Sequence, residues 1–229
     1  MPPASFVVQV KKMGKTWPVP YIPDPAHFAI DAFVSFCLGV LLAVLVSAEA
    51  QAFAATFLGD HRVEAKDRFH FIAFFHLDIL GTINYLVGGF GWAKPIEINS
   101  SNFSYPRLFT FLTRLAGPLA NLLMAGIAGS LVSILQSLQL FDVRVFNMIV
   151  AVNITTAVYN LIPLPPLAAG VLLTCFIPER FGGLRRLINQ AGPFLILALT
   201  LFDRLYPLYF FRPWLDPLVI NIFRFISGA

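Results

Sequence analysis

The sequence predicts an all-α polytopic membrane protein with about five transmembrane helices, a broken fourth helix and a small interfacial β element. Three observations carry this. Of the 229 residues, 58% are hydrophobic and only 12% are charged. The mean hydropathy is +0.76, far from the balance of a soluble domain. Apolar runs long enough to cross a bilayer, about 20 residues each, recur along the chain. The 24 phenylalanines suit surfaces that face lipid or pack helices. The formal net charge of +4 is modest, and no basic run interleaved with aromatics points to nucleic acid. Cys37 and Cys175 lie in apolar stretches and read as two buried thiols, neither a disulfide framework nor a metal site.

Residues 1–27 form a Pro-rich N-terminal arm. Lys11, Lys12 and Lys15 are followed by Pro18, Pro20, Pro23 and Pro25 rather than by an apolar core, so the arm is not a signal peptide. The uncharged run Ala32–Ala48, bracketed by Asp31 and Glu49, sets a first helix over 28–57. A carboxylate inside a span is costly, so Glu49 is expected to face protein or a wet cavity. After a charged connection, Gly59–Arg68, the apolar stretch Phe69–Phe90 reads as a second span. It is interrupted by His70, His76, Asp78 and Asn84. Trp92–Asn99 follows, and its alternating Ile96, Glu97 and Ile98 predict a strand at an interface.

Leu115–Phe141 lacks Lys, Arg, Asp and Glu and holds a third helix. Arg114 lies near its start, where it pairs or snorkels. Small residues from Ala125 to Ser130 let helix backbones approach closely. Val145–Pro178 is again uncharged, but Pro163, Pro165 and Pro166 break it into a helix of 144–162, a turn, and a short helix of 167–177. Irregular backbone at membrane depth must be buried in protein or line a cavity. Residues 190–211 form the last strong span, which closes a core of 28–211. The tail, 212–229, reads as an interfacial or half-spanning helix. The Lys and Arg count of the loops leans weakly to a cytoplasmic N-terminus.

Three segments together resemble the site-2 protease family of intramembrane zinc metalloproteases, in its short form without a PDZ domain. The first is SAEAQAFAATFLGD, Ser47–Asp60, similar to an HExxH helix that ends in Leu-Gly-Asp. The second is HLDILGT with GWAKPIEIN and LAGPLAN. The third is YNLIPLPPLAAG, Tyr159–Gly170, similar to Asn-Leu-x-Pro-x-Pro-Pro-Leu-Asp-Gly. Alignment on Leu58-Gly59-Asp60 puts Ser47 and Gln51 at the two histidines and Ala48 at the glutamate. Ala168 falls at the third zinc ligand.

In such a motif, two His at i and i+4 share a metal and the Glu between them is the base. The metal acidifies its bound water, and a third ligand closes the site. Ser47, Ala48, Gln51 and Ala168 cannot supply this chemistry. A one-residue shift puts Glu49 at the Glu position but Ala48 and Ala52 at the histidines. The resemblance therefore implies a catalytically inactive homologue, with no cofactor expected and no zinc.

What remains are a relic groove (Glu49, His76, Asp78, Asn160) and a possible peptide-binding strand (Pro95, Ile96, Glu97, Ile98, Asn99), since an open strand edge pairs with extended peptides. The plainer reading of His70, His76 and Asp78 is polar groups bonded at the mouth of the second helix. That of Asn153 and Asn160 is a structural bond between helices. The expected role is a structural or accessory subunit of a larger membrane complex, for which a respiratory or photosynthetic complex is one suitable host. The expected partners are other membrane protein subunits and the lipid bilayer, and the expected location is a bacterial inner membrane. Two alternatives remain. One is a pseudoprotease that holds a transmembrane client or a lipid in the relic groove. The other is an intramembrane metalloprotease with relocated ligands among Glu49, Glu64, His70, His76 and Asp78.

Overall fold

The computed structural model describes residues 7–8, 17–18, 20–26, 28–61, 69–138, 142–206 and 210–227. Most of the N-terminal arm, and Glu64, lie outside these residues. α1 spans Ile30–Phe57 and α3 spans Pro106–Leu138. With 28 and 33 residues, they are the two helices long and apolar enough to cross a membrane among the described residues.

The stretch Phe69–Phe90 is not one spanning helix. After a one-turn 3-10 helix at Ala73–His76, α2 covers only Ile79–Gly88. Its 10 residues rise about 15 Å, half of a hydrocarbon core of about 30 Å. Both of its ends have local causes. The Asp78 carboxylate accepts the Gly81 amide at 2.7 Å, an N-cap. Gly89 takes φ 76° at the other end, a left-handed C-cap that glycine adopts without strain.

α4 (Arg144–Tyr159) is the buried centre, and every residue from Asn147 to Tyr159 is buried. It packs against α1 and α3, which also pack on each other. Gly39 makes one close approach possible, since a Cβ there would lie 3.1 Å from Val152 Cγ2. At the head of α4, Arg144 pairs with Asp31 of α1 at 2.8 Å and also bonds Asp142. The guanidinium holds the Asp142 carboxyl below its ordinary range.

The proline-rich turn joins α4 to α5 (Ala168–Cys175). Pro165 and Leu167 are buried there, and Pro166 lines a cavity, whereas Leu161 and Pro163 are exposed. α6 runs Gly182–Leu205, so it starts well before the expected 190–211. It buries only Gly192, Ile196 and Thr200, a one-per-turn stripe. α7 (Arg212–Ser227) carries Val219, Ile220 and Phe223 into the same core as Val158 and Tyr159.

Five crossings are thus not matched by five long apolar helices. α2 and α4 have 10 and 16 residues, and α6 opens with Arg185, Arg186, Asn189 and Gln190. Strand pairing among the described residues joins β1, Val7–Val8, to β2, Trp17–Pro18. Trp92–Asn99 is extended, and among the described residues it forms no ladder, only a single bridge from Ala93 to Leu77. The alternation is present, with Ile96 and Ile98 half-buried and Glu97 exposed. The segment's backbone groups bond the Arg114 and Asp60 side chains and the His76 carbonyl rather than a second strand.

Candidate functional site

Ser47 and Gln51 stand one helical turn apart on α1, on one face. Both line a small cavity. Asn160, which ends α4, and Ala168, which begins α5, line it as well. Four positions scattered over 122 residues of sequence therefore converge on one point. Ala48 does not reach it and is fully buried in packing. The cavity leaves about 20 Å³ for a water-sized molecule, room for about one water.

Asn160 explains why α4 and α5 meet here. Its Nδ2 donates to Thr156 O at 2.7 Å, and its Oδ1 accepts the Ala168 amide at 3.2 Å. The Ala169 amide reaches Asn160 O at 3.1 Å. One asparagine thus stitches the proline-rich turn shut, the structural bond expected of it. Asn153 does otherwise and donates to Ile149 O of its own helix at 2.9 Å.

A cation flanks the cavity. Arg114 Nη1 donates to Gln51 Oε1 at 2.9 Å, and Nη2 to Ile96 O at 3.0 Å. Gln51 Nε2 donates in turn to Ser47 O at 3.2 Å and to Ser47 Oγ at 3.4 Å. The expected pairing or snorkelling at a helix start is overturned. α3 begins at Pro106, which places Arg114 two turns inside, and the side chain points to the interior. Gly117, the next turn of α3, allows this approach. A Cβ there would lie 2.5 Å from Ser47 Oγ and 2.8 Å from Gln51 Nε2.

These residues do not fit a zinc ion, which takes Cys, His, Asp or Glu. Ala168 offers no ligand atom, and the Gln51 carbonyl oxygen is committed to Arg114. A guanidinium beside the cavity repels a divalent cation. No cluster of three or more His, Cys, Asp or Glu is placed to hold a metal among the described residues.

Glu49 faces elsewhere. Its Oε1 accepts the amides of His70 and Phe71 at 3.0 and 2.9 Å, and lies 3.1 Å from His76 Nε2. Phe71 has φ 46°, a costly backbone for a bulky residue, and the Glu49 carboxylate is what fixes that bend. Glu49 Oε2 is buried without a hydrogen bond among the described residues. The structure therefore brings Glu49, His70 and His76 together, with the two imidazole centroids 6.1 Å apart. Asp78 is not among them, since it caps α2.

Three backbone groups in and beside the segment proposed to pair with peptide are bonded within the chain. Ile96 O is held by Arg114, the Asn99 amide by Asp60 Oδ2 at 3.0 Å, and the Lys94 amide by His76 O at 2.7 Å. Pro95 lines the cavity. Sequence reasoning missed Tyr85 and Thr156, whose hydroxyls bond at 2.8 Å on the cavity wall. A tyrosine in an apolar run carries no signal that separates it from packing.

The motif order and the convergence of its positions mark a site-2-protease-like membrane protein. The chain is 31% identical over 211 residues, covering 88% of this chain and 91% of the relative, to the "Putative zinc metalloprotease YwhC" of Bacillus subtilis (strain 168). It belongs to the same family as that protein. No protein-family profile and no solved structure matches it.

Proposed function

We propose that this chain is a non-catalytic member of its family, a multi-pass protein of a bacterial inner membrane that serves as an accessory subunit of a larger membrane complex. One observation carries the reading. The cavity where the family's metal positions converge is bordered by the Arg114 guanidinium, bonded to the residue at the second histidine position. Among the described residues the cavity lining has no carboxylate, imidazole or thiolate beside this fixed cation, so it offers neither a base nor a metal-ligand set for peptide hydrolysis. The outer surface supports the accessory role. Phe53, Phe57, Phe71 and Phe74 are each at least 66% exposed, and they offer aromatic surface to lipid or to other subunits.

The name carried by the Bacillus relative points to zinc-dependent proteolysis as the competing reading. Metal content by mass spectrometry, measured beside cleavage of a detergent-solubilised transmembrane peptide, separates the two. The expected result is substoichiometric zinc and no cleavage above buffer. One zinc per chain, lost in His76→Ala together with cleavage, would overturn the proposal and place the metal at Glu49, His70 and His76.

A further inference from the structure

We infer that the cavity binds a carboxylate on Arg114, which supplies from outside the counter-charge that Arg114 lacks among the described residues. The inference rests on the reading that no zinc occupies this place.

Arg114 lies in the second of the two membrane-length helices. An ionisable group at such depth is expected to pair or to serve a ligand. Its two hydrogen bonds go to neutral oxygens, Gln51 Oε1 and Ile96 O. No carboxylate is bonded to it among the described residues. Arg114 is half-buried, and a cation partly withdrawn from water with no counter-charge is unfavourable. A guanidinium carries five N–H donors. Two are used here, which leaves three, and the planar fork matches a carboxylate's two oxygens.

The surroundings suit such a ligand. Ser47 stands on the same cavity and accepts from Gln51, and no acceptor for its own hydroxyl proton is bonded among the described residues. That proton is available to a carboxylate oxygen. Ala168 also lines the cavity. By the motif alignment it stands at an aspartate position, and its methyl group presents no carboxylate to the cavity. About 20 Å³ of room, the space of about one water, admits one carboxylate oxygen and leaves the rest of the acid at the mouth. The donor is then either a small free acid or the acid end of a longer molecule whose body stays outside.

The test uses full-length protein in detergent, checked for zinc content on the same sample. Thermal unfolding is followed by tryptophan fluorescence across a sodium formate series and a sodium chloride series of equal ionic strength. A ligand that binds only the folded state raises the Tm with the logarithm of its concentration above Kd. The expected result is a formate slope in excess of chloride. That excess should vanish in Arg114→Gln, and also in Ala168→Asp, which installs an internal carboxylate and keeps the arginine. Hexanoate separates the two sources. A slope equal to formate's means a free small acid suffices, and a steeper one means the ligand's body contributes outside the cavity. A zinc-free protein whose formate and chloride slopes coincide overturns this inference alone. So does a formate excess that persists in folded Ala168→Asp. A zinc-loaded protein overturns the functional reading on which it rests.

Discussion

Glu49 lies one residue beyond Ala48, and on a helix that step of about 100° decides its role. Ala48 packs in the interior, whereas Glu49 turns towards the bend at His70 and Phe71, where one oxygen accepts two amides and faces an imidazole. Its removal leaves the exposed His70 and Phe71 amides to solvent and strands the ring nitrogen of the buried His76. An unsatisfied buried donor costs about 1–3 kcal/mol, so Glu49→Ala is expected to lower stability by about that much. Glu49→Gln, which keeps an acceptor at Oε1, should lose clearly less. Chemical denaturation of the three proteins in one detergent checks this. An unchanged midpoint for Glu49→Ala would show that the carboxylate holds nothing. The sequence put this residue against protein or a wet cavity, as its charge inside an apolar run requires. The direction it faces came from helical phase and from the bend opposite, which no local pattern encodes.

At the scale of elements, close contacts between helices and turns set the architecture around the site. α6 touches the proline-rich turn through Gly192, where a Cβ would stand 2.2 Å from Pro165 O. That contact is with backbone, which cannot swing aside, so Gly192→Ala should destabilise by about 1–3 kcal/mol through overpacking. Gly126 on α3 is the counterexample, with nothing within 4 Å of its ideal Cβ. There Gly126→Ala removes a helix-interior glycine and should stabilise by up to about 1 kcal/mol. Opposite shifts in thermal midpoint are the expected result, and a common sign would contradict this reading of the packing. The small residues of α3 were legible as a packing face, and Ala125, Ala128 and Gly129 are indeed buried, but Gly126 and Ser130 are not. Composition marks a helix that can be approached. Phase decides which residues are.

For the whole molecule, the balance of surfaces argues for company. α6 buries one residue per turn, and Phe194, Leu187 and Leu205 are each more than 60% exposed. α7 shows Trp214 and Phe225 at 80% and 88% exposure. Lipid alone satisfies such a surface, but an accessory subunit needs the same one. Native mass spectrometry of the protein, extracted from its own membrane in mild detergent, distinguishes the two. The expected spectrum carries partners in fixed stoichiometry above the 25.4 kDa chain. A lone chain under conditions that preserve a known complex from the same membrane would count against the accessory role.

The sequence by itself determined the apolar, helical character of the chain, the break at Pro163–Pro166, the long first helix and the ordered motifs that tie it to its family. These are properties of composition, periodicity and spacing, and they act within a single segment. Tertiary structure alone decided that Ser47, Gln51, Asn160 and Ala168 share one cavity and that Arg114 turns inward to bond two of the segments around it. It also decided that the second apolar stretch breaks into a bend and a short helix, and that the expected strand finds two side chains and one carbonyl rather than a second strand. Each of these depends on which groups from distant segments satisfy one another's hydrogen bonds and charge, and such pairing exists only once the helices have packed.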